Sequence, residues 1–116
     1  MTLTKIELKE FATGLKKIKY QNVLHEVKLE YCKDDDGTVY INVNTIKIKK
    51  AERCKGYGNI IMQDIIRFAN SHNVRIELYA SIIFGSEICR LIKFYEKLGF
   101  VKVIEDKDNL MIHSFN

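Results

Sequence analysis

The spacing of apolar positions changes several times along the chain, and each change predicts an element. Thr2 to Leu8 alternate as a short strand would, and Phe11, Leu15 and Ile18 then recur at helical spacing, with Gly14 weakening that helix. Alternation returns from Val23 to Cys32, where Val23, His25, Val27, Leu29 and Tyr31 share one side and Glu26, Lys28 and Glu30 the other. "KDDDGT" closes this strand, because Asp before Gly is a hairpin signal. In the next strand Val39, Ile41 and Val43 lie on one face, but the apolar positions continue as Ile46 and Ile48, a slip of one residue around Asn44–Thr45. A strand that keeps its apolar side inward absorbs such a slip as a β-bulge; a short break between two strands is the alternative.

After "ERCKGYGN" (52–59) comes an amphipathic helix, with Ile61, Ile65, Phe68 and Ala69 on one face and Asn59, Gln63, Asp64, Arg67 and Asn70 on the other. It ends at Ser71-His72-Asn73, Asn serving as a left-handed cap. Val74, Ile76, Leu78 and Ala80 form the next strand, and a helix from about Ser86 carries Ile88, Leu91, Ile92 and Tyr95 on one stripe. Gly99 caps that helix and Phe100 supplies the apolar contact beyond it. Val101–Ile104 and Leu110–Phe115 are short strands joined by "EDKDN". The predicted order is β-α-β-β-α-β-α-β-β, an α/β (α+β) domain with a mixed sheet and helices in crossover positions.

Composition narrows the class. The 116 residues suit one domain, 1–116, with no repeat or linker to divide it. With 47% apolar and 29% charged residues the chain is ordinary globular material, and no apolar run approaches the ~20 residues of a membrane span. "MTLTKIELKE" lacks the apolar core of a signal peptide. Cys32, Cys54 and Cys89 have no metal-site spacing, so a cytoplasmic location with reduced thiols is expected. His25, His72 and His113 are scattered, and "DDDG" lacks the Glu a calcium loop needs, so no metal is expected. The net charge of +4 tolerates an anionic ligand without announcing a nucleic-acid binder.

The loop at 52–59 carries the candidate chemistry. It lies between a strand and a helix N-terminus, where unpaired N–H groups and the positive end of the helix dipole favour anions. Gly56 and Gly58 let a ligand approach the backbone, and Lys49, Lys50, Arg53 and Lys55 add positive charge. No Gly-x-x-x-x-Gly-Lys-Ser/Thr run is present, and Ile61 stands where the dinucleotide fingerprint needs its third Gly. What remains is Arg53-Cys54-Lys55-Gly56-Tyr57-Gly58, the pattern Arg/Gln-x-x-Gly-x-Gly/Ala, after a strand whose period slips. Downstream, "LIKFYEKLGF" (91–100) is a helix ending in Tyr-Glu-Lys-Leu-Gly-Phe.

On these motifs residues 38–116 resemble the acetyl-CoA-binding core of the GCN5-related N-acetyltransferase superfamily, and residues 1–22 a shortened acceptor-side region. The resemblance implies that acetyl-CoA is the co-substrate. Its pyrophosphate would rest on the amides of Cys54, Lys55, Gly56, Tyr57, Gly58 and Asn59, near the side chains of Arg53 and Lys55. The pantetheine arm would pair with the backbone of Ile46, Lys47 and Ile48. It also implies direct acetyl transfer to a primary amine, with Tyr95 as the acid for the departing thiolate; packing in the core is the structural alternative for Tyr95.

The chain departs from the family's pattern in three places. Asn42 stands where histone-type members carry a general-base Glu; Glu26, Glu30, Glu52 and Glu77 read first as solvated strand or loop charges, Tyr79 is a further candidate, and no base is assigned, since a water relay or a low-pKa acceptor amine would make one unnecessary. The segment "SIIFGSEIC" offers only Ser81 and Ser86 where many members carry an Asn that contacts the pantetheine. The short N-terminal region leaves the acceptor pocket either open, which favours a protein acceptor, or completed by a second chain in a homodimer. A non-catalytic acyl-CoA-binding or regulatory domain is the alternative function. A nucleic-acid partner is not expected, because exposed aromatics do not interleave with the cations.

Overall fold

A computed structural model describes residues 2–80, 88–103 and 108–115, with backbone alone at 88–90. Ser81, Ser86, Ile104 and most of the 105–109 turn lie outside the described residues.

The first element corrects the expectation of a strand at Thr2–Leu8. Helix α1 spans Lys5–Gly14 and continues through a π turn, Leu15–Lys19. Thr4 starts it: the Glu7 amide donates to Thr4 Oγ1 at 3.2 Å, and the Thr4 amide donates to Glu7 Oε1 at 3.0 Å. This reciprocal capping box satisfies two helix-end donors at once. Ile6 and Leu8, which alternation placed on one side, sit about 200° apart on a helix. Leu8 is accordingly buried, while Ile6 is 70% exposed.

Strands β1 (Leu24–Lys33) and β2 (Val39–Ile48) form the expected hairpin. After a 3-10 turn, Lys50–Glu52, comes α2 (Tyr57–Ser71), then β3 (Arg75–Tyr79), α3 (Ile88–Lys97), β4 (Val101–Lys102) and β5 (Leu110–His113). The strands make one mixed sheet in the order β1-β2-β3-β5-β4, with β2 and β3 parallel and the remaining pairs antiparallel. The α+β class and the mixed sheet are those expected.

The slip in β2 is a bulge. Lys28 pairs with Thr45 and Leu29 with Val43, leaving Asn44 without a partner on β1. Val39, Ile41 and Val43 therefore stay inward, against Ile61 and Ile65 of α2 and Ile76 of β3 in one buried cluster. The Gly99 cap is also present: its φ is +100°, and a Cβ there would meet His113 Nε2 at 3.1 Å. Both facts select glycine at the helix end.

Helix α1 is held on α2 by contacts that alternation alone does not reveal. Phe11 stacks on Phe68 with centroids 4.1 Å apart, and Glu7 Oε2 lies 3.1 Å from His72 Nε2. Asp64, expected on the polar face of α2, is buried. The Tyr20 hydroxyl donates to its Oδ2 at 2.5 Å, the Lys19 ammonium approaches the same oxygen at 2.9 Å, and Arg67 reaches Oδ1 at 2.6 Å. Burial would push the Asp64 carboxyl up, but the bonds from Tyr20 and Lys19 and the nearby cations outweigh it and hold the group below its ordinary value. Burial, with the adjacent carboxylate, pushes the Tyr20 phenol up to about 12.

Candidate active site

The Asn44 bulge divides β2 into two halves. Tyr40 to Val43 pair with β3 on one side and β1 on the other. Beyond Val43, β1 remains a neighbour of Ile46, Lys47 and Ile48, but among the described residues no strand pairs with their other side. β2 and β3 separate there, leaving a length of strand edge, unpaired among the described residues, that ends at the loop. Such an edge can take an extended chain through backbone hydrogen bonds.

The loop itself is built by backbone conformation. Cys54 has φ +65° and Gly56 has φ +84°, the latter a left-handed N-cap of α2. Glycine costs least there, and a Cβ on Gly56 would meet no atom within 4 Å, so the space before it is open. Among the described residues no acceptor takes the amides of Cys54, Lys55, Gly56, Tyr57, Gly58 or Asn59. Ile60 is the first in α2 to close back, onto the Gly56 carbonyl at 3.4 Å. A run of unpaired amides at the positive end of a fifteen-residue helix is an anion seat.

The loop's cations are partly engaged. Arg53 Nε donates to the Ile48 carbonyl at 3.0 Å, tying the loop to the end of β2. Lys55 Nζ lies 3.4 Å from Glu52 Oε2. An anion here would therefore meet amides first and side-chain charge second.

Helix α3 closes the site from another direction. A Cβ on Gly58 would lie 3.8 Å from Phe94 and 3.9 Å from Ile48, so β2, the start of α2 and α3 converge on this glycine. Tyr95 follows Phe94 and packs edge-on against it at 5.3 Å. Its hydroxyl has no hydrogen-bond partner among the described residues. Burial pushes the phenol above its ordinary value, so it carries its proton at neutral pH.

The alternative bases separate by their partners. Glu26 lies 3.7 Å from Lys47, Glu52 pairs with Lys55, and Glu77 accepts from Arg75 at 2.7 Å. Tyr79 is exposed at the end of β3. Glu30 differs from the other carboxylates: among the described residues it has no ion pair, and its Oε1 accepts from Asn42 Nδ2 at 2.8 Å and Asn44 Nδ2 at 3.1 Å. Among the described residues its Oε2 has no hydrogen-bond partner. Glu30 sits opposite Asn42 in the β1–β2 register. Counting outward from the "KDDDGT" turn pairs the two, a signal carried by spacing and not by residue type. Phe94 is the other contributor that motif reading passed over.

No family profile matches the chain, and no curated protein matches it. Solved structures do. The anti-CRISPR protein AcrVA5 superposes with a TM-score of 0.57 at 21% identity, covering 76% of this chain and 90% of that one. Naa50 of Arabidopsis thaliana, in complex with the bisubstrate analogue CoA-Ac-MVNAL, gives 0.61 at 17% identity over 99% of this chain and 97% of that one. AtaTR bound with acetyl-CoA gives 0.59 at 13% identity, covering 76% of this chain and 55% of that one. At these identities the likeness carries the fold: the chain has the fold of the GCN5-related N-acetyltransferases.

Proposed function

We propose that the protein is an acetyl-CoA-dependent N-acetyltransferase acting on a primary amine. The observation that carries this reading is the continuity of the open β2 edge at Ile46–Ile48 with the unpaired amides from Cys54 to Asn59. The two seats match the two parts of acetyl-CoA, an amide-bearing arm and a pyrophosphate. That two neighbours were solved with acetyl-CoA or a CoA bisubstrate analogue supports the same reading.

The chain's own groups then divide the proton work. The amine nitrogen attacks the thioester carbonyl carbon, the C–N bond forms, and the carbonyl oxygen takes the negative charge. Collapse breaks the C–S bond, and Tyr95 gives its proton to the departing thiolate. The proton lost by the amine goes to Glu30 Oε2, directly or through a water, since Oε1 is already held by Asn42 and Asn44. Proton transfers of this kind contribute roughly 10²–10⁴-fold. A protein lysine or N-terminus is the acceptor class we favour, in line with the CoA-Ac-MVNAL analogue held by Naa50.

Calorimetric titration with acetyl-CoA, followed by a thiol-release assay against amines and peptides, tests the reading. Absence of binding would overturn it; binding without turnover on any acceptor would leave an acyl-CoA-binding domain. Glu30→Gln keeps the shape and the Asn contacts to Oε1, so acetyl-CoA affinity should stay within about twofold while kcat falls roughly 100-fold. An unchanged kcat would remove Glu30 from the mechanism.

A further inference from the structure

The N-terminal helix leaves β1 as an edge strand. Among the described residues β1 pairs only with β2, so alternate N–H and C=O groups along its other side have no ladder partner. Residues 2–8, whose alternation resembles a strand, are drawn into α1 and its cap and do not occupy this edge.

Between α1 and β1 runs a groove of ≈ 540 Å³. Residues 27–31 line it in succession. Successive side chains point to opposite faces of a strand, so a wall made of consecutive residues is the strand's edge, backbone included. The opposite wall is one stripe of α1, with Leu8 and Ala12 at its centre. Around both walls stand Lys5, Lys9, Lys16, Lys17 and Lys28. None of these ammonium groups has an ion-pair partner among the described residues. The single acidic residue in the lining, Glu30, is already bonded to Asn42 and Asn44.

We propose that this groove docks an extended acidic polypeptide segment, which adds to the sheet as a strand beyond β1. Backbone bonding to the edge would supply affinity, and carboxylates at alternate positions would meet the lysines. The apolar floor would take the intervening side chains. A nucleic acid could meet the same charges, but it cannot pair with a strand edge, and Tyr31 is the one aromatic in the lining. A second copy of this chain would bring a second set of lysines against the first. The groove shares Glu30 with the acetyl-transfer reading, but the proposal rests on the β1 edge and the lysines alone, and its test needs no acetyl-CoA.

The test uses the full chain, without acetyl-CoA, and a capped peptide of five Glu-Val repeats as probe. Binding is read by fluorescence anisotropy and by hydrogen exchange at residues 27–31. The expected result is saturable binding that weakens with salt and slows exchange of the outward β1 amides. N-methylation of the peptide at alternate residues should weaken binding at least tenfold without altering charge. The double variant Lys9→Glu/Lys16→Glu, both exposed positions, should weaken it similarly, with an unchanged far-UV dichroism spectrum. Equal binding by the N-methylated peptide would overturn the proposal in favour of charge alone. Equal binding by a fifteen-residue oligo(dT) would overturn it in favour of nucleic acid. Absence of peptide binding, or sedimentation as a dimer that the peptide does not dissociate, would also overturn it.

Discussion

Two regions lean on α2, and they are held by opposite means. The 53–59 loop is specified by what its backbone leaves undone: two left-handed residues, a glycine with open space before it, and six amides with no acceptor among the described residues. The N-terminal region is specified by what its side chains complete. Thr4 and Glu7 cap the helix, Phe11 stacks on Phe68, and Tyr20, Lys19 and Arg67 converge on one buried carboxylate. The difference teaches where binding and stability separate. Unsatisfied donors are poor structural elements and good ligand seats, whereas a saturated network holds an element in place and offers a ligand nothing.

If that division is right, changes in the loop should cost binding and changes in the network should cost stability. The largest effect is expected from Gly56→Glu. It places a carboxylate in the anion seat and forces a side chain into φ +84°. Acetyl-CoA affinity should fall beyond ~100-fold, read by calorimetry, while backbone strain costs the fold only about 1 kcal/mol. Tight binding by this variant would break the comparison on the loop side. Next comes Tyr95→Phe, which removes the proton and keeps the ring against Phe94 and Phe100. The kcat should drop roughly 100-fold with acetyl-CoA affinity within about twofold. Equal loss of both would make Tyr95 a packing residue.

The two regions also differ in how far the sequence exposes them. The loop was legible because φ > 0 and close approach have a residue-type signature, and the β2 bulge because a period-two pattern cannot slip unnoticed. Asn44 is where the slip placed it. The N-terminal region was not legible by the same method. Alternation over seven residues fits either element, and Thr4-x-x-Glu7, which settles the matter, is a capping signal and not a periodic one. Asp64 departs from expectation for a related reason: its charge argues for solvent, and besides the local Arg67 it is Tyr20 and Lys19, forty-four and forty-five positions back, that satisfy it inside. Long-range pairing has no local signature, whereas the Glu30–Asn42 pairing is written in the hairpin register about the "KDDDGT" turn.

On the network side, Asp64→Asn should leave acetyl-CoA affinity unchanged and cost ~2–3 kcal/mol in denaturant unfolding, since Tyr20 loses a charged acceptor and two cations lose their partner. The pH dependence gives the same network two separate signatures. The Asp64 carboxyl is lowered in the fold, so its contribution is present above the ordinary aspartate range and is lost as pH falls through the lower folded value. The Tyr20 phenol is raised to about 12, so its contribution is present below pH 10 and is lost as pH rises from 10 to 12. A Tyr20→Phe variant should lose up to ~2 kcal/mol at neutral pH and show a flatter alkaline limb than the parent.

The smallest effect should come from the cap. Thr4→Ala removes the acceptor for the Glu7 amide and half of the reciprocal pair, which is worth about 1 kcal/mol. Because α1 also walls the groove beside β1, the cap should matter there as well. A frayed first turn would loosen Lys5 while Lys16 and Lys17 stay anchored by buried Leu15. The expected outcome is a melting temperature a few degrees lower, an unchanged thiol-release rate, and slightly weaker binding of the Glu-Val peptide. A loss of turnover from this one distant hydroxyl would mean that the two regions are coupled through α2 and are not the separate devices their geometry describes.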